Sequence, residues 1–222
     1  MNATIFREIN FLIKKEIRQE WKQKYAFQGL LLYVVSTVFV CYLSFKQIID
    51  PPTWNALFWI ILLFAGVNAV AKSFMQESRG RLLYFYTLAD ARSVIMAKTV
   101  YSLLLMITLS IISLIFYSLF VGSPVVNYPM YFLAMVLGSA GFATVLSMVS
   151  AIAAKAGSNT TLMAVLSFPI LIPLLMTTIR FSKNAMDGLA WSVNVNFMII
   201  LVSLNALVIA LSYLLFPYLW RE

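Results

Sequence analysis

Lys72-Ser-Phe-Met-Gln-Glu-Ser-Arg-Gly-Arg-Leu-Leu-Tyr-Phe-Tyr-Thr-Leu-Ala-Asp-Ala-Arg92 separates two apolar runs, residues 54–71 and 94–121. A helix of about 20 apolar residues crosses the hydrocarbon core of a bilayer. Both flanking runs therefore read as spans, and the quoted stretch as their connection. It is far longer than a tight turn. It holds four of the sixteen Lys/Arg and two of the eight Asp/Glu, yet its second half, Leu82-Leu-Tyr-Phe-Tyr-Thr-Leu88, is apolar and aromatic. A solvated loop has no use for that apolar half, so the mixed character points to a segment that docks against a partner.

The rest of the chain follows the same logic. Its 222 residues are 62% hydrophobic, with a mean hydropathy of +0.90, which places it among polytopic membrane proteins. Six stretches are candidate spans: residues 27–45, 54–71, 94–121, 128–154, 160–179 and 195–217. The third and fourth exceed the needed length and should tilt or run past the bilayer. The first begins behind a long charged segment, unlike a cleavable signal peptide. The expectation is an all-α polytopic membrane protein, residues 1–222 forming one integral domain.

Charge position fixes the expected topology. With the N-terminus inside, thirteen Lys/Arg fall on inner segments, and only Lys46, Arg180 and Lys183 on outer ones. That asymmetry places both termini in the cytoplasm. It also accounts for the net charge of +8 without a nucleic-acid partner, since no basic patch is interleaved with aromatics. Cys41 is the single cysteine, so it has no intrachain disulfide partner, and reads as a small packing residue.

Residues 4–25 form a charged but amphipathic helix. Ile5, Ile9, Leu12, Ile13, Ile17 and Trp21 recur at three- and four-residue steps, opposite Arg7, Lys14, Lys15, Arg18 and Lys22. This suits a helix in the inner membrane interface, its basic side toward anionic headgroups. Glu16 and Glu20 break the pattern by projecting to the apolar side. Snorkelling or local pairing, as with Lys24 four residues on from Glu20, explains them. A contact with a basic surface on a cytoplasmic partner is the other reading.

What the spans lack is equally informative. No carboxylate lies in the middle of any of them, and there is no histidine, so proton- or ion-coupled transport has no carrier. The commonest haem and zinc ligand and the commonest general base are missing with it. No nucleotide-binding G-x-x-x-x-G-K-[ST] occurs. Catalysis by this chain, a metal site and a directly bound cofactor are thus all unexpected, and any energy must come from a partner.

Several span residues suit assembly. Ser139, Ala143, Ser147 and Ala151 form a small-residue ridge beside Gly138 and Gly141, of the kind that lets helices approach closely. It can serve packing within one bundle or a seam between two copies. In Phe168-Pro-Ile-Leu-Ile-Pro-Leu-Leu-Met176, Pro169 and Pro173 each remove a backbone donor, so the fifth span is expected to kink or break, structurally or as a gate. Asn205 reads as a hydrogen-bonding link between helices. Residues 180–194, more polar than the spans but carrying Trp191, allow a short external or re-entrant helix.

Together these motifs carry a family resemblance. Six spans, an inner amphipathic helix and a docking insert after the second span resemble an ABC exporter permease. Glu16-Ile-Arg18 is similar to a Glu-aliphatic-Arg motif of the CcmB family. Residues 72–82 resemble that family's charged, Phe-containing, Gly-Xaa-Leu segment, Leu166-Ser-Phe-Pro-Ile-Leu-Ile-Pro-Leu-Leu175 its double-proline signature, and Phe216-Pro-Tyr-Leu-Trp220 its closing segment. The resemblance runs from about residue 5 to the C-terminus. It implies a multi-pass protein of the bacterial cytoplasmic (inner) membrane. It further implies a CcmA-like ATPase subunit, a CcmC-like haem-binding membrane protein, a CcmD-like helper, a CcmE-like haem chaperone, and two permease copies. ATP would be bound by the ATPase and haem handled by the complex, hydrolysis driving release of the haem-loaded chaperone. Residues 76–88 would form the coupling helix, with Glu77, Arg79 and Arg81 setting register and Leu82, Leu83 and Phe85 as apolar anchors. The alternatives are an ABC exporter permease for a lipid, drug or polysaccharide, or a channel or scaffold with no ATPase.

Overall fold

A computed structural model of the chain describes the backbone of residues 2–22, 24–45, 50–75, 90–155 and 160–221, and the side chains of 7–19, 28–45, 50–70, 90–154, 161, 163 and 165–218. All regular structure among them is helical: α1 (Asn2–Lys22), α2 (Lys24–Phe45), α3 (Pro51–Met75), α4 (Ala91–Val121), α5 (Tyr128–Lys155), α6 (Thr160–Met186) and α7 (Trp191–Arg221). The last six are each long and apolar enough to cross a membrane. α2, α4 and α6 run toward one end of the bundle and α3, α5 and α7 return from it. That end carries Phe45, Pro51, Val121, Tyr128 and Met186, and is the outer end under the charge-derived orientation.

Small residues decide which helix is central. α5 packs on α3, α4, α6 and α7, and 72% of its span is buried, against 22% for the spans in α2 and α7. Gly138 and Gly141 make this possible. A Cβ on Gly138 would lie 2.5 Å from Thr178 Cγ2 and 2.7 Å from Trp59 Cη2, and one on Gly141 would overlap the Leu174 side chain. Ser139, Ala143, Ser147 and Ala151 are all buried within the single chain.

The helix ends are shaped by local chemistry. Asp50 precedes α3, and the Thr53 side chain, followed by the Thr53 backbone N–H that donates to the carboxylate at 3.2 Å, holds its pKa below the usual carboxylate value. Gly122 ends α4 at φ 85, a conformation that glycine adopts without strain.

α6 is one continuous helix through Pro169 and Pro173, both exposed. It differs from expectation in running on to Met186 in place of a separate helix within 180–194, leaving only residues 187–190 as a turn. The reason is that Phe181, Ser182, Ala185 and Met186 continue the buried face of α6, while Lys183 pairs with Asp187 one turn on, along the exposed side.

Candidate functional site

The docking residues Glu77, Arg79, Arg81, Leu82, Leu83 and Phe85 lie outside the described residues; the helices on either side do not. α3 reaches Met75, and α4 begins at Ala91 after Asp90, whose extended backbone (φ −69°, ψ 135°) turns the chain into the helix. Ala91, Ser93, Val94, Ile95, Ala97 and Lys98 are buried at once, so the first turns of α4 are seated in the bundle.

α1 holds that seat from outside. It packs mainly along α4, burying Leu12, with Ile9 and Ile13 partly covered and Phe11 left 72% exposed. Glu16 meets a cation of its own chain: its carboxylate lies 3.6 Å from Lys98 Nζ and 3.5 Å from Lys15 Nζ. Glu16 is 9% exposed and Lys98 3%. The basic surface that a carboxylate on this apolar face requires is thus supplied internally, by α4. Arg18 is exposed. The Glu20 side chain lies outside the described residues.

A second constellation, absent from the sequence reading, sits at the opposite end. Trp59 Nε1 donates to Ser182 Oγ at 2.9 Å, and Ser182 Oγ lies 2.9 Å from Asn55 Oδ1, while Asn55 Nδ2 donates to the Ile179 carbonyl at 2.9 Å. Trp54 Nε1 donates to the Gly122 carbonyl at 2.8 Å. The rings of Trp54, Phe58, Tyr117 and Tyr131 stack and tilt against one another with centroids 4.7–6.1 Å apart. In a low-dielectric interior such satisfied polar groups lock helices in register. The available signal was Trp54-Asn55 and Trp59 clustered in a run otherwise largely aliphatic.

A third link lies deeper. Asn205 on α7 donates to the Leu137 and Leu201 carbonyls at 3.3 and 2.8 Å, and accepts from Thr144 on α5 at 3.4 Å. It joins two helices of one chain.

The side chains of Asn55, Trp59 and Ser182 bind one another or backbone carbonyls, and among the described residues no group of three His, Cys, Asp or Glu could hold a metal ion. α4 is the element that follows residues 76–89 in sequence and along which α1 packs. No curated protein gives a significant match to the chain. The family model described as CcmB protein, however, matches residues 7–218, from the first described side chain of α1 to the last of α7, and the chain belongs to the CcmB family.

Proposed function

We propose that this protein is the membrane-spanning permease subunit of an ABC transporter complex in cytochrome c maturation. In this reading it transmits ATP hydrolysis by a CcmA-like ATPase into release of a haem-loaded, CcmE-like chaperone outside the membrane. The family match over residues 7–218 carries the reading. The sequence supports it by what it omits: without a histidine or a nucleotide-binding motif, the chain needs partners for histidine ligation of haem and for energy. A CcmC-like protein holds the haem, a CcmD-like helper accompanies it, and two permease copies face the ATPase pair in the cytoplasmic membrane, both termini inside.

Mechanical input enters through residues 76–88. Leu82, Leu83 and Phe85 fill an apolar groove on the ATPase, while Glu77, Arg79 and Arg81 fix register through charge. Closure of the ATPase pair then pushes α3 and α4, the helices joined by this segment. Pro169 and Pro173, each of which removes a backbone donor from α6, are where that helix would flex as a gate.

The test replaces Arg79 with Glu and Leu83 with Ala and purifies the complex through the permease. An interface anchor contributes about 2 kcal/mol, so each loss weakens capture roughly thirtyfold. The permease should still insert, while ATPase capture and c-type cytochrome content fall together. Undiminished capture with normal cytochrome production overturns the coupling role. Normal cytochrome production in a strain lacking the whole chain overturns the proposed function.

A further inference from the structure

At the end of the bundle where α4 begins and α5 and α7 finish, a shallow lateral cleft runs between these three helices. Its walls are Ile95 of α4, Met148 and Ile152 of α5, and Ser212, Leu215 and Phe216 of α7. The Ser212 hydroxyl is already engaged, donating to the Val208 carbonyl at 2.8 Å, so the lining is apolar in practice. One turn nearer the helix ends lies Arg92, exposed, in the first turn of α4. Its guanidinium carbon stands 4.8 Å above the Tyr213 ring, and Nη1 lies 3.4 Å from the Tyr213 hydroxyl. Arg92 thus sits three residues from Ile95, and Tyr213 next to Ser212, so the cation stands at the mouth of the cleft.

We propose that this is a binding site for one anionic phospholipid, its phosphate on Arg92 and one acyl chain in the cleft. Depth supports it. α4 has 31 residues, about 46 Å of helix against a hydrocarbon core of about 30 Å. Its first turn therefore reaches the headgroup layer, and the cleft one turn further in faces acyl chains. Arginine presents five donors in a fork that matches phosphate, and Tyr213 occupies only one of them. Among the described residues no carboxylate pairs with Arg92, so an anion finds it available. Tyr213 suits the interfacial level by its mixed character. The apolar wall excludes a polar solute. Occupied, the site fastens α4, α5 and α7 together at the end where α4 enters the bundle. None of this requires the transport reading, because the property tested is lipid retention.

The experiment uses the full chain with its co-purifying subunits, exchanged into bilayer discs holding equal parts of phosphatidylglycerol and phosphatidylcholine with identical acyl chains. Retained lipid is measured by mass spectrometry after transfer to detergent. The wild type should retain phosphatidylglycerol preferentially, and less of it as salt rises. Arg92→Gln should lower that preference about tenfold, the loss of one charge-assisted contact. Leu215→Trp, which fills the cleft from an exposed position, should lower retention of both lipids while leaving Arg92 in place. Each variant is checked for monodisperse elution, and Arg92→Lys, which keeps the charge, should recover part of the preference and separates binding from misfolding. Equal retention of the two lipids by the wild type, or unchanged preference in Arg92→Gln, overturns the proposal. So does a complex that carries no lipid because a partner helix fills the cleft.

Discussion

Lys98→Met destabilises the protein strongly, and adding Glu16→Leu restores most of what was lost. The single substitution leaves the Glu16 carboxylate in place with 9% of the residue exposed. Lys15, 3.5 Å away, remains as a flanking cation. Removing one member of a buried ion pair costs about 3–5 kcal/mol, and Lys15 puts this case toward the lower figure. The double replacement removes the second charge and refills the space with apolar volume, which is close to neutral in comparable settings. Unfolding is followed in detergent, by heat and by denaturant. If Lys98→Met matches the wild type, or the double variant is no better than the single, the pair does not hold α1 on α4. A functional measurement belongs beside it. The double variant, though folded, should release α1 more easily, because an ion pair fixes register and an apolar patch does not.

The second large effect is expected at Gly138. Gly138→Val places a Cβ 2.5 Å from Thr178 Cγ2 and 2.7 and 2.9 Å from two atoms of the Trp59 ring. Neither neighbour can yield. Thr178 is held by its hydroxyl bond to the Leu174 carbonyl at 2.7 Å, and Trp59 by its bond to Ser182 at 2.9 Å. Overpacking costs about 1–3 kcal/mol in cores that can adjust, and this site should reach the upper figure. Thr178→Ser deletes the nearest methyl and keeps the hydroxyl, so it should rescue Gly138→Ala in part. Gly29→Ala supplies the contrast: nothing lies within 4 Å of its Cβ, and stability should stay within about 1 kcal/mol of the parent. A Gly138→Val protein as stable as Gly29→Ala would remove the close approach of α5 to α3 and α6 from the account.

How much of this could be read from residues alone depends on whether the controlling interaction is local. The six long helices follow from hydropathy, since a bilayer leaves an apolar run of that length few other states. Glu16 stood out because helical periodicity put a carboxylate on an apolar face. Its partner did not, because Lys98 counted as one more inner-end charge and its burial depends on α1 lying across α4. Gly138 and Gly141 were legible as small, whereas the identity of what fills the space, Trp59 and Thr178, depends on three helices meeting. The bonds from Asn55 and Trp59 to α6 join residues more than a hundred positions apart, beyond any periodicity. The end of α6 was misplaced because Arg180, Lys183 and Asn184 look like a loop, yet they occupy one side of a helix whose other side stays buried. For Glu77 to Phe85 the reading rests on composition and on the family pattern, since these residues lie outside the described ones.

The hydrogen bonds around Trp59 and Ser182 have a consequence for how the bundle opens. Tryptophan, asparagine and serine side chains cross-link α3 to α6 near Trp59, and stacked rings bring in α4 and α5. At the other end the described links include the Glu16–Lys98 ion pair, the Ser150–Met163 hydrogen bond and the Arg92–Tyr213 contact. Amide protons of α3 and α6 around Trp59 and Ser182 should therefore exchange with solvent slowly. A push on the opposite ends of these helices would turn them about this clasp as about a hinge pin.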